Sequence, residues 1–537
     1  MFDRDQFDRS ADFRGEYPRE LNEELAWFAG RYLVRFLKQQ GQSSPRIIVG
    51  RDGRRSSPAL YAAIIQGIAS EGGVPLPAGL CTTDMVVWGA GAGIGGAVAG
   101  AMITASHNPA KDNGIKLTLR IPGAVQTILI KDHIKPQFIK DAGNSSLEAA
   151  QAACVPFAKS PTLDLLPKFV EWSMRWAPDA KTLQGRVVLD TGNGVGGLFL
   201  KPLAKRLSAA RVDAIFTEID GNFPNRPSNP GLPGALNVLK QEVKRTEAMF
   251  GAAFDGDADR LFLVDEKGTF VTGDQLLAAI AASILDDSAR EFTAGKPVVF
   301  AATCSWLIIE TIRRFGGTPY ICRVGQETVK TAMQAVGAVF GGESSAHFNF
   351  PESYYQDSGL IALLAFWQYL HARAKKPVSE IIASLNPWPH SGEINLEIKS
   401  ENFRTISEDA VARLTKRYLD RAKLQECYVF ELDGVSVYFP WRAGAPTVDE
   451  LFPKQSGNPT GERYRGVHAT YQPDWWFNIR RSNNEPLIRV NVECKAGMDV
   501  TQPTVALIVE LMTICRNDLN CPVAVKDWGA IGPQNIG

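Results

Sequence analysis

Apolar residues at Leu21, Leu25, Phe28, Tyr32 and Phe36 recur at steps of three and four, which predicts an amphipathic helix over 21–39. A short β-rich run, Arg46–Gly50, turns through RDGRRSSP into a helix over 59–71. The rhythm then repeats. RVVLD at 186–190 turns through TGNGVGG into a helix over 198–207 and closes on the strand, loop, strand segment AMFGAAFDGDADRLFLVDEKG at 248–268. A third unit has a helix over 274–285, a strand over 297–302, a helix over 305–315 and the strand TPYICRV at 318–324. From about residue 387 strand-like and helical pieces follow, broken by a loop-rich insertion at roughly 440–470 with no assignable role. The pattern predicts an α/β protein, three related α/β domains and then an α+β domain. No short-period repeat is present.

Composition adds limits. At 537 residues the chain is too long for one core, and three or four domains are expected. Lys plus Arg equals Asp plus Glu at 58 each, so nothing points to nucleic acid or an acidic membrane as partner. The first 20 residues are charged from the third onward, unlike a secretory leader, and the eight cysteines include no CxxC pair. A reducing cytoplasm is therefore expected. Met85–Ser106 is uncharged, but six glycines break it and it empties into a polar loop, so it is not read as a membrane helix.

The candidate chemistry centres on Ala101–Leu117, AMITASHNPAKDNGIKL, where Ser106 is followed by His107, Asn108, Lys111, Asp112, Asn113 and Lys116. A nucleophile, an imidazole and cations in one loop after a buried segment predict an active-site loop. No glycine elbow surrounds Ser106, which argues against a serine hydrolase. In DGDADR, Asp255, Asp257 and Asp259 alternate with small residues and can converge on one hard cation, Mg2+ ahead of Ca2+. An EF-hand counted from Asp255 would find Glu266 at its twelfth position but has Arg260 where glycine is required. The turn Gly192/Gly194/Gly197, with Glu218 about twenty residues on, matches a dinucleotide fingerprint and leaves an NAD enzyme open at this point. RRSNNEP at 480–486 offers donors suited to a phosphate. In GGESSAH, Glu343, Ser345 and His347 stand at alternate positions and are expected to face one cavity.

TASHNPAKDNGIKL, DGDADR, GGESSAH and RRSNNEP occur in the order, and at roughly the separations, found in the α-D-phosphohexomutases, which the chain resembles in the phosphomannomutase/phosphoglucomutase branch. DFRGEYP at 12–18, VGRDGRRSSP at 49–58, LDTGNGVGG at 189–197 and NFPNRPSNP at 222–230 support the resemblance. It implies four domains around a central cleft: 1–155 with the phosphoserine loop, 156–270 with the metal loop, 271–388 with the sugar loop, and 389–537, a TATA-box-binding-protein-like α+β domain with the phosphate loop. The implied activity is interconversion of hexose 1-phosphate and hexose 6-phosphate of glucose or mannose through a 1,6-bisphosphate. The relatives' roles place the phosphoryl group on Ser106, and one Mg2+ on Asp255, Asp257, Asp259 and a phosphoserine oxygen of Ser106, with Arg260 beside them. Lys116, His347 and Arg14 would assist proton transfer and charge stabilisation. Glu343, Ser345 and Gln326 would contact the sugar, and Arg480, Ser482, Asn483 and Asn484 the phosphate the substrate already carries. Glucose 1,6-bisphosphate would prime the enzyme, a small sugar phosphate would be its only implied partner, and the Gly192 turn becomes an ordinary βα connection.

The chain departs from the family pattern at four places. Ala346 stands for a usual glycine, Gln326 for a common histidine, Thr303 for a frequent sugar-contacting lysine and Asn484 for threonine. These leave the preferred sugar open, with phosphoglucosamine mutase as the runner-up activity and a non-catalytic paralogue as the alternative of another class.

Overall fold

In the computed structural model of the chain, the first long helix runs Glu23–Gln39, because the Asn22 side chain accepts the Leu25 N–H at 3.1 Å and closes its first turn. It packs on the helix Ser57–Ser70, where a Cβ on Gly67 would lie only 2.0 Å from the Trp27 carbonyl oxygen. Together they bury one face of the first sheet, including Ile47, Val49, Ala101, Ile103 and Ile115. The structure describes residues 3–8, 11–141, 162–179, 182, 184–286, 295–371, 373, 376–443, 446–454, 463–468, 471–482 and 485–534. The expected exit from the first domain, about 140–165, falls mostly outside them.

That sheet comprises β1 (Phe13–Glu16), β2 (Arg46–Arg51), β3 (Val74–Leu80), β4 (Ala99–Ile103), β5 (Asp112–Ile121) and β6 (Ala124–Thr127). Its order is β1-β5-β4-β2-β3, with β2 parallel to β3 and β4, and β5 antiparallel to β4. The second sheet repeats the plan with β7 (Gly185–Asp190), β8 (Ala210–Ile215), β9 (Phe250–Phe254), β10 (Leu261–Asp265) and β11 (Phe270–Val271), ordered β11-β10-β9-β7-β8. In the third, β12 (Pro297–Ala301) lies parallel to both β13 (Thr318–Cys322) and β14 (Phe340–Gly342), and the chain then enters β15 (Phe348–Phe350) and β16 (Gln356–Asp357). The three loops that leave β4, β9 and β14 are the serine loop, the aspartate loop and the Glu343 loop. One topological position thus carries three of the four motifs, the connection at the C-terminal end of a central strand where α/β sheets place their sites.

The fourth sheet takes β17 (Ile394–Ile398), β18 (Tyr428–Phe430), β19 (Val435–Phe439), β21 (Trp475–Arg481), β22 (Leu487–Cys494) and β23 (Val523–Asp527) in the antiparallel order β18-β19-β21-β22-β17-β23. The helices Phe403–Lys423 and Thr501–Thr513 supply Ala410, Leu414, Leu507 and Leu511 to its core. Arg480 and Arg481 of RRSNNEP end β21, and Leu487, directly after its proline, begins β22.

The uncharged stretch 85–106 resolves into the helix Thr83–Gly91, a turn with Gly93, Gly95 and Gly96 at positive φ, and β4. Among the described residues no helix is long and apolar enough to cross a membrane. The described residues of the insertion at 440–470 include two short elements. Val448–Leu451 is a helical turn with a capping box between Thr447 and Glu450, and the buried Phe452 ring stacks at 4.1 Å on Phe430 of the fourth sheet. The second, β20 (Tyr464–Gly466), pairs antiparallel with β13, so one segment ties the third sheet to the fourth domain. By contact the chain divides into two units, Met1–Leu276 with Ala346–Ile381, and Leu277–Ser345 with Ile382–Gly537.

Candidate active site

Ser106 leaves β4 with φ +49°, a left-handed conformation that a serine adopts only under constraint. The constraint is visible. Its N–H donates to Thr104 Oγ1 at 2.9 Å, and the wholly buried Arg54 guanidinium donates to the carbonyls of Ser106, Asn108, Pro109 and Asp112 at 2.9, 2.7, 2.5 and 3.0 Å. Asp52, itself buried, accepts from Arg54 Nε at 3.0 Å and fixes the fork. Arg14 adds bonds to the Ala105 carbonyl and Asn108 Oδ1, at 3.1 and 3.2 Å. From the second domain, Ser228 Oγ donates to the Asn108 carbonyl at 2.7 Å. Gly256 touches the same loop, and a Cβ there would come within 2.6 Å of the Ser106 carbonyl oxygen.

Across this contact Ser106 Oγ donates to Asp255 Oδ2 at 2.8 Å. Asp255, Asp257 and Asp259 are all buried, and each offers a carboxylate oxygen within 4.8 Å of the others. A tight turn with Ala258 at φ +61° produces the convergence. Thr83 Oγ1 donates to Asp257 Oδ2 at 2.5 Å, and Lys116 Nζ reaches Asp257 Oδ2 and Asp259 Oδ2 at 2.9 and 2.7 Å. Burial alone would discharge Lys116, but the two aspartates outweigh it and hold the ammonium charged. Burial, and then its two acidic neighbours, raises Asp255 well above the carboxylate range. Burial also opposes the charge on Asp257 and Asp259, yet Lys116 prevails and both end below the usual value. Asp257 Oδ1 and Asp259 Oδ1 remain buried without a hydrogen-bond partner. Orphaned buried carboxylate oxygens beside a third carboxylate are the donor set of a hard divalent cation, so these residues fit the metal expected from the sequence.

Arg260 lies with Nε 3.6 Å from Asp255 Oδ2 and donates to His107 Nδ1, which is itself 3.2 Å from Ser106 Oγ. Burial, followed by the Arg260 charge, pushes the His107 pKa down to about 2, which leaves a neutral ring as acceptor for the guanidinium. His347 also belongs to this unit, with Nδ1 2.5 Å from Asp357 Oδ2, and Asp259, His347 and Asp357 again offer ligand atoms within 4.8 Å of one another.

The Glu343 loop corrects one expectation. Residues 343–347 are a turn between β14 and β15 rather than extended chain, and Ala346 takes φ +71°, so side chains do not alternate there. Glu343 is buried and accepts the Gly325 N–H at 2.8 Å, beside Gln326 at the start of the helix Gln326–Val336, whereas Ser345 is exposed. A left-handed non-glycine residue costs about 1–2 kcal/mol. Ala346→Gly is accordingly expected to raise unfolding stability by about 0.5–1 kcal/mol, the gain being trimmed by glycine's greater unfolded-state freedom, and urea denaturation reads it directly. In the second unit Arg323, Gly325, Arg480 and Arg481 share the wall of a cavity of about 780 Å³. Arg480 projects from β21 with one nitrogen 3.5 Å from Glu393, and Ser482 is buried at the hairpin turn. Asn483 and Asn484 lie outside the described residues.

Arg54, Asp52, Thr83 and Asp357 escaped the sequence reading as site residues. Arg54 was one of three arginines in a polar turn, and nothing local reveals that it alone is buried. Its position inside VGRDGRRSSP was the available signal. In the same way NFPNRPSNP contains Arg226, which is buried, pairs with Asp190 at 2.8 Å and donates to the Phe254 carbonyl at 2.7 Å, directly before the aspartate loop.

The chain is similar to proteins of one family. Models of the phosphoglucomutase/phosphomannomutase alpha/beta/alpha domains I, II and III match residues 5–139, 168–268 and 272–387. A protein named "Phosphohexose mutases" from Xanthomonas campestris is 32% identical over 91% of this chain and 94% of its own. A phosphomannomutase of Vibrio cholerae is 28% identical over 94% of this chain and 97% of its own. Among solved structures, a phosphoglucomutase/phosphomannomutase family protein of Burkholderia thailandensis superposes with a TM-score of 0.72 at 24% identity, over 97% of this chain and 100% of that one.

Proposed function

Because the chain belongs to the phosphoglucomutase/phosphomannomutase branch of the α-D-phosphohexomutases, we propose that it is an intramolecular phosphotransferase interconverting the 1-phosphates and 6-phosphates of glucose and mannose. The observation that carries this reading is the bond from Ser106 Oγ to Asp255, within a ring of carboxylates, lysine and arginine. Phosphoryl transfer asks a protein mainly for positioning and neutralisation of charge, and this ring supplies both.

Phosphorylated Ser106 gives its phosphoryl group to the free hydroxyl of a hexose phosphate. The P–O bond to Oγ breaks as the bond to the sugar oxygen forms. His347 takes the hydroxyl proton and Lys116 supplies one to Oγ. The product is a 1,6-bisphosphate, which turns end over end, and the second transfer returns both protons and restores phosphoserine. Asp255, Asp257 and Asp259 would hold one Mg2+, which when bound would supply charge neutralisation for the transferring oxygens. Arg260 and Arg14 add positive charge around Ser106, and Arg54 keeps the loop in its constrained form. Glu343, Ser345 and Gln326 meet the sugar, while Arg480, Ser482, Asn483 and Asn484 take the phosphate already present. Glucose 1,6-bisphosphate serves as primer. Cys81, Cys322, Cys427, Cys494, Cys515 and Cys521 are buried thiols outside any disulfide, which supports a reducing cytoplasm.

Turnover of glucose 1-phosphate, mannose 1-phosphate and glucosamine 1-phosphate, assayed side by side with Mg2+ and primer, tests the reading. Fast conversion of the first two, abolished by EDTA and restored by Mg2+, is expected. Preference for the amino sugar moves the assignment to phosphoglucosamine mutase, and no turnover of any of the three indicates a non-catalytic paralogue.

A further inference from the structure

We infer that Asp357 is a positioning residue for the transfer, holding His347 with its Nε2 free to take the substrate hydroxyl proton. Its oxygen lies 2.5 Å from His347 Nδ1, and both side chains are largely shielded from water. An ionised carboxylate can only accept a hydrogen bond, so the pairing places the imidazole proton on Nδ1 and leaves the Nε2 lone pair as the ring's single basic position. The carboxylate also offsets the positive charge the ring acquires on accepting a proton.

The pair is anchored on two sides. Asp357 ends a β15–β16 hairpin in register with Asn349, and the following Ser358 donates to the buried Asp84 at the start of the helix Thr83–Gly91. The preceding residue of that helix, Thr83, holds Asp257. One helix N-terminal turn thereby fixes the aspartate loop and the strand that orients His347, so a metal ligand and the proton acceptor share a single frame. At the Glu343 loop, the left-handed Ala346 sets the chain direction immediately before His347.

The inference rests on His347 being the proton acceptor, and a double-mutant cycle separates the two ideas. Asp357→Asn, His347→Gln and the double variant are assayed for glucose 1-phosphate turnover, with kcat expressed per chain phosphorylated on Ser106 so that misfolded protein does not count. Asp357→Asn alone is expected to lower kcat by about 10²- to 10⁴-fold with KM little changed. In the His347→Gln background the same substitution should cost less than about twofold, because its target is already gone. Equal losses in both backgrounds, or unchanged kcat in Asp357→Asn, would overturn the positioning role while leaving His347 in place. Normal kcat in His347→Gln would instead overturn the proton-acceptor reading itself.

Discussion

Ser106→Ala should lower mutase turnover by about 10⁴-fold or more while the protein stays folded. The loss is large because the phosphoryl group then has no oxygen to reside on, and the remaining charges cannot substitute for a covalent carrier. The fold survives because Ser106 sits in a loop and its side chain makes hydrogen bonds rather than core contacts; Asp255, which loses a donor, keeps the Arg260 N–H at 3.3 Å. Thermal unfolding should therefore move by no more than a few degrees. A variant that keeps normal turnover would remove phosphoserine from the mechanism.

The second large effect is expected at Arg54. Replacing it with alanine strips hydrogen bonds from four carbonyls of the serine loop and leaves Asp52 as a buried carboxylate without its cation. Breaking one partner from a buried pair typically costs about 3–5 kcal/mol. Arg54→Ala should lower stability by that amount, read from urea unfolding, and reduce kcat because Ser106 loses the support that keeps it at positive φ. Arg54→Lys retains the charge but not the planar fork, and its ammonium cannot reach the same set of oxygens. It should recover part of the stability and little of the activity. Equal activity in Arg54→Lys and the parent chain would show that loop geometry is not held by this residue.

Much of this architecture was legible in the sequence because its elements announce themselves locally. The three-and-four spacing from Leu21 to Phe36 located a helix whose start differs only where Asn22 caps it. The run RVVLD became β7, an inner strand of the second sheet, and the glycine-broken stretch 85–106 resolves into a short helix, a turn and a strand, not a membrane helix. Ser106 and the three aspartates stand out in the sequence because their chemistry is packed into short loops, and the fold brings those loops into contact.

What escaped depends on partners distant in the chain. Arg54 reads as a surface arginine until its four carbonyls are known. Asp357 sits in an unremarkable stretch, and its pairing with His347 depends on the hairpin that follows β15. The expected alternation of Glu343, Ser345 and His347 failed because Ala346 is left-handed, and a backbone reversal at a residue other than glycine leaves no trace in a polarity pattern. In the insertion at 440–470, whose glycine and proline content suggests a loop, Tyr464–Gly466 extends a sheet begun far earlier in the chain, a pairing that no local pattern reveals.

A single-turnover experiment with protein phosphorylated on Ser106 tests the central claim most directly. Mixed with stoichiometric glucose 1-phosphate and Mg2+, then quenched early, it should show phosphate leaving the Ser106 peptide by mass spectrometry as glucose 1,6-bisphosphate appears in matching amount. Mutase turnover in which the Ser106 phosphate stays in place, or moves to water without bisphosphate forming, would contradict the account.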